Sequence, residues 1–168
     1  NQFREMRNIN PGDGRSLVGL VDVYNRQKRF KDAIGEIRTE IGKSPNSDAL
    51  RASLAAELVE DGQYDAALAE YDALLKKNPN SGEVYIMLGD VHKRRNDLPA
   101  ALKAMQKAVE LTPNNTVSLV RLALIMETLD QGIEARKLYD KILSIDPNNY
   151  VALNNLAFLK ADSGEDLD

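Results

Sequence analysis

The chain of 168 residues carries 22 Lys and Arg against 26 Asp and Glu, a formal net charge of -4, with 43% hydrophobic and 29% charged residues. That balance offers no general attraction to a phosphate backbone, which argues against a nucleic-acid partner, and no apolar run reaches the roughly 18 residues of a spanning helix, so no direct membrane insertion is expected. The absence of cysteine excludes a disulfide framework, thiol catalysis and cysteine zinc sites, and leaves cytoplasm and periplasm equally open.

Prolines set the organisation: Pro11, Pro45, Pro79, Pro113 and Pro147 stand 34 residues apart, and only Pro99 falls off the ladder. Such a period predicts a repeat array built from helix pairs. Residues 1–13 are expected to end the second helix of a preceding repeat, with Phe3 and Met6 on its packing face. Four repeats follow, at 14–47, 48–81, 82–115 and 116–149, and 150–168 supplies the first helix of a truncated fifth. The chain therefore reads as a fragment of a longer array, whose last flank of Leu153, Leu156 and Ala157 is expected to invite end-to-end self-association.

Aligned on this frame, the seventh column reads Leu20, Leu54, Leu88, Leu122, Leu156 and the eighth Val21, Ala55, Gly89, Ala123, Ala157. The twentieth is Ala33, Ala67, Ala101, Ala135, and the twenty-fourth Ile37, Tyr71, Met105, Tyr139. Small residues on one helix are thus expected to face large ones on its partner. Asn46-Ser47, Asn80-Ser81, Asn114-Asn115 and Asn148-Asn149 predict helix N-caps, which makes the Asn114-Asn115-Thr116 sequon a cap rather than a glycosylation site. Pro99, just behind Asp97, fits the first turn of a helix, where its missing N–H costs nothing. Gly35 and Gly42 predict that the second helix of the first repeat is the least stable. Arg51 and Lys160 fall in apolar columns, so their stems are expected to pack while their charges reach water.

The motifs YIMLGDVH, from Tyr85, and AALKAMQKAVELTP, from Ala100, resemble the two helices of a tetratricopeptide repeat, and the similarity covers essentially the whole chain. The resemblance implies an all-α solenoid of antiparallel helix pairs stacked in a right-handed superhelix, the first helices lining a concave face. The stretch from Asn148 onward resembles C-terminal repeats of bacterial arrays, some linked to exopolysaccharide export.

Residues for chemistry are few. His92 is the only histidine and occupies a packing column, so neither a histidine metal cluster nor a catalytic base is expected. Glu165 and Asp166 read as a solvated terminal charge run, and Gly12, Gly14 and Gly19 as turn and helix residues rather than a phosphate loop. No cofactor, metal or enzymatic activity is expected. Arg26, Lys28, Arg29 and Lys31, and later Lys93, Arg94 and Arg95, flank the acidic Glu57, Glu60 and Asp61, a pattern that predicts pairing between repeats.

The geometry implied by the resemblance turns the second, fifth, ninth, twelfth and thirteenth columns to the concave face. Apolar residues collect there as Val117, Val120, Leu124, Val151 and Phe158, with Ile86 at the edge and Arg121 and Asn155 as polar anchors. Two readings stand: the residues form a trough for a peptide or helix segment of another protein, or neighbouring helices pack through them. The carboxylate clamp of co-chaperone repeats is missing: the windows present Val18, Asp22, Ser53, Glu83, Met87, then Ala52, Ala56, Met87, Val117, Arg121, then Ile86, Asp90, Arg121, Val151, Asn155. The implied function is a non-catalytic protein-interaction scaffold. Its alternatives are the superhelical arm of a larger enzyme, such as a glycosyltransferase or signalling protein, or a structural self-associating array.

Overall fold

The structure is a computed structural model that describes residues 14–162. The expectations placed on Phe3, Met6, Glu165 and Asp166 lie outside the described residues. Nine helices and no strand occur among them. Two compact units divide the chain, one ending at Lys77 and the other beginning at Asn78.

The first unit holds α1 (Gly14–Arg26), α2 (Phe30–Lys43), α3 (Asp48–Glu60) and α4 (Tyr64–Lys77). Its core takes Leu20, Tyr24, Ala33 and Ile37 from the first helix pair and Leu54, Ala55, Leu58, Ala67, Tyr71 and Leu74 from the second, all buried. These are the repeating apolar columns at helical spacing, and each large side chain so buried contributes about 1.5–3 kcal/mol. Arg51 departs from expectation: its guanidinium is not simply solvated but pairs with Glu70 on α4 at 2.9 Å. The anticipated pairing of Arg26 across repeats is also replaced, since Arg26 binds Asp22 of its own helix at 2.9 Å.

The second unit holds α5 (Gly82–Arg94), α6 (Leu98–Leu111), α7 (Thr116–Thr128), α8 (Gly132–Ile145) and α9 (Tyr150–Asp162). Ile86, Ala101, Met105, Ala108, Leu122 and Ile125 make one core cluster. Leu119, Ala123, Ala135, Tyr139, Ile142 and Ala152 make the next, with Val120, Leu156 and Leu159 packed against it. Close approach explains the small column: a Cβ on Gly89 would stand 2.7 Å from Met105 Cε.

Caps and turns fix the helix ends. Ser47, Ser81 and Asn115 accept hydrogen bonds from Leu50, Val84 and Ser118 backbone N–H groups, and Asn149 accepts from Ala152 N–H. Asp97 caps α6 by accepting from Ala100 N–H. In each hairpin turn one residue takes a left-handed backbone: Lys28, Gly62, Asn96 and Asp130, with φ of 56, 76, 64 and 58°. The next residue's N–H then reaches back to the preceding helix, as Asp97 does to His92 O at 2.9 Å, which satisfies a carbonyl that the ending helix leaves free.

Candidate functional site

The stripe of interest runs over α7 and α9. Val117, Val120, Arg121 and Leu124 follow one another at helical spacing, as do Val151, Asn155 and Phe158, so each set shares one face. The two helices meet through the core below, where Leu119 and Ala123 of α7 lie in one cluster with Ala152 of α9.

The stripe is uneven in accessibility. Val117 is 51% exposed and Phe158 69%, while Val120, Leu124 and Val151 are half-buried. Ile86, expected at the edge, is 6% exposed and sits in the core with Leu122 and Ile125. Its side chain belongs to the packing of α5 on α7 and offers little to a partner.

Both polar anchors are engaged inside the unit. Arg121 of α7 pairs with Asp90 of α5, and Asn155 Nδ2 donates to Tyr139 Oη at 3.1 Å. Tyr139 also hydrogen-bonds Glu127, and burial first, then that carboxylate, push its hydroxyl well above the usual tyrosine range, with the Asn155 contact opposing. Arg121 therefore presents a charge already balanced, and Asn155 an amide already oriented. The role of Glu127 in holding this network was not visible in the column pattern, although a glutamate one helix away from a buried tyrosine hydroxyl is the residue type to look for.

Elsewhere in the second unit, α5 and α6 border a cleft of about 510 Å³ lined by Tyr85, Leu88, His92 and Ala104 among others. His92 is half-buried there, with Nδ1 3.8 Å from Asp97 Oδ2, too far for a hydrogen bond. No group of three or more His, Asp or Glu side chains that could hold a metal ion occurs among the described residues. No helix among them is long and apolar enough to cross a membrane.

Two family models, both described as tetratricopeptide repeat, match the sequence over residues 53–116 and 138–166. A comparison with curated proteins finds no match. Among solved structures, a crystal structure of MamA superposes with a TM-score of 0.72 at 21% identity, covering 86% of this chain and 84% of that one. A tetratricopeptide repeat protein from Parabacteroides merdae gives a TM-score of 0.73 at 17% identity, over 97% of this chain and 65% of its own. The first such domain of Spaghetti (RPAP3), bound to the HSP90 peptide SRMEEVD, gives 0.64 at 21% identity, over 70% and 94%. At these identities the likeness establishes a shared fold, an all-α solenoid of helix pairs.

Proposed function

Because the chain belongs to the tetratricopeptide repeat family, we propose that it is a non-catalytic interaction scaffold whose α7 and α9 stripe receives an apolar segment of another protein. The observation that carries this reading is the exposure of Val117 and Phe158, 51% and 69%, beside Arg121 and Asn155, which are engaged with Asp90 and Tyr139. Apolar side chains contiguous on a surface are the usual mark of an interaction site, and the half-buried Val120, Leu124 and Val151 share the faces of Val117 and Phe158. An extended strand or the apolar face of a helix would cover them, with Phe158 and Leu124 as anchors. A domain of the same fold holds a peptide in the RPAP3 structure, which supports the mode of use and not the partner.

The chemistry of that partner differs from the RPAP3 ligand. SRMEEVD is acidic and ends in a carboxylate, which calls for free cations, whereas Arg121 is committed to Asp90. SRMEEVD is expected not to bind, and calorimetric titration checks this. Peptides selected on the full chain from a random library should instead be apolar, and Phe158→Ala with Leu124→Asp should weaken them by roughly 30-fold or more, about 2 kcal/mol. Val117→Asp changes an exposed position and gives the same test without threatening the core. Selected peptides that bind these variants unchanged, while circular dichroism shows intact helices, sink the proposal.

Self-association is a second reading with its own observation. Tyr150 is 80% exposed and Leu153 48%, and Ala157 is also open, although the equivalent Leu119 and Ala123 are fully buried. Light scattering should then show oligomers that Leu153→Asp disperses; a strict monomer at high concentration contradicts it.

A further inference from the structure

Glu57 of α3 is only 6% exposed, and a buried carboxylate is costly unless its lone pairs are served. Its Oε1 accepts a hydrogen bond from Asn25 Nδ2 of α1 at 2.9 Å. The remaining oxygen, Oε2, is buried without a partner, and so is Asn25 Oδ1. Both orphans are acceptors, so neither can serve the other while Glu57 is charged. One proton on Oε2 resolves both: the carboxyl becomes a donor, and the unserved acceptor lies on the very amide that Oε1 already holds.

We infer that Glu57 and Asn25 form a proton-gated latch, in which protonation of Glu57 closes a reciprocal pair of hydrogen bonds tying α1 to α3. Charged, the same contact is a single hydrogen bond beside two unsatisfied oxygens.

The surroundings favour the neutral form. Burial is the largest influence and raises the carboxyl above its ordinary range; the Asn25 N–H opposes it, and the like charge of Glu60, one turn on, adds to it. Four ion pairs lie on or beside the packed helices: Arg26 with Asp22 on α1, Arg29 with Asp32 at the start of α2, Lys43 with Glu40 on α2, and Arg51 of α3 with Glu70 of α4. None of these pairs supplies a cation to Glu57.

The direction of the pH effect follows. A carboxyl raised by folding contributes stability that is complete below its unfolded value, about 4.3, and is lost as pH rises through the folded value. The first unit should therefore be tied most firmly in acid and loosen toward neutrality.

The test uses the full chain. A carbon NMR titration of the Glu57 carboxyl should show a midpoint above that of the exposed glutamates. Glu57→Gln keeps the shape and provides a permanent donor to Asn25 Oδ1, so it should melt with the native protein near about pH 4 and higher than it near neutrality, by about 3 °C or more. A Glu57 midpoint in the ordinary carboxyl range overturns the inference. So does a melting difference that is the same at both pH values.

Discussion

Lys28 holds a left-handed backbone, φ 56°, that Gly62, Asn96 and Asp130 occupy in the other three hairpin turns. Asparagine, aspartate and glycine tolerate that region, while lysine gains nothing there and pays roughly 1 kcal/mol. Lys28→Gly is therefore expected to raise stability by up to about 1 kcal/mol in urea unfolding; a loss would show that Arg29, whose guanidinium lies 4.8 Å from the Tyr24 ring centre, depends on Lys28 for its placement. The fifteenth column was legible in principle, since three of its four residues are turn formers, yet the lysine masks it. Glu57 was not legible at all: a glutamate on a helix is ordinarily solvated, and its burial follows from which face of α3 meets α1. Ile86 failed for the same reason, because column geometry ranks faces but does not say how tightly two helices close over them.

Helices were far more readable than side-chain partners. The proline ladder and apolar columns predicted all-α helix pairs, and the structure has nine helices among the described residues, because a 34-residue repetition states the same pattern several times. Each weak copy is rescued by its siblings. The capping pairs were equally clear, with the second residue of each pair making the bond. Ser81→Ala removes the acceptor for Val84 N–H and should cost about 1 kcal/mol. In α2, a Cβ at Gly35 or Gly42 would meet nothing within 4 Å, so either Gly→Ala change should raise stability by about 0.5–1 kcal/mol. Native-state hydrogen exchange reads the result helix by helix: protection in α2 should rise selectively, and an unchanged or lowered protection would mean that packing rather than propensity limits it.

At the scale of the molecule, a period supplies the scaffold and departures from it supply the candidate surface. The second unit buries most of its regular columns, and the apolar side chains it leaves open include Val117 and Phe158 of the stripe. Sequence reasoning picked out that stripe from the geometry of a familiar array, but it could not tell that Arg121 and Asn155 would be spent on Asp90 and Tyr139. On the reading proposed above, their engagement leaves recognition to the apolar side chains of the stripe. The central claim is thus that an apolar segment binds across α7 and α9. A methyl-resolved NMR titration of the full chain with a library-selected peptide tests it most directly: Val117, Val120, Leu124 and Val151 methyl signals should move together, and Phe158→Ala should weaken the response. Shifts confined to Leu88 and Ala104 at the α5 and α6 cleft, or a response indifferent to Phe158→Ala, would contradict the account.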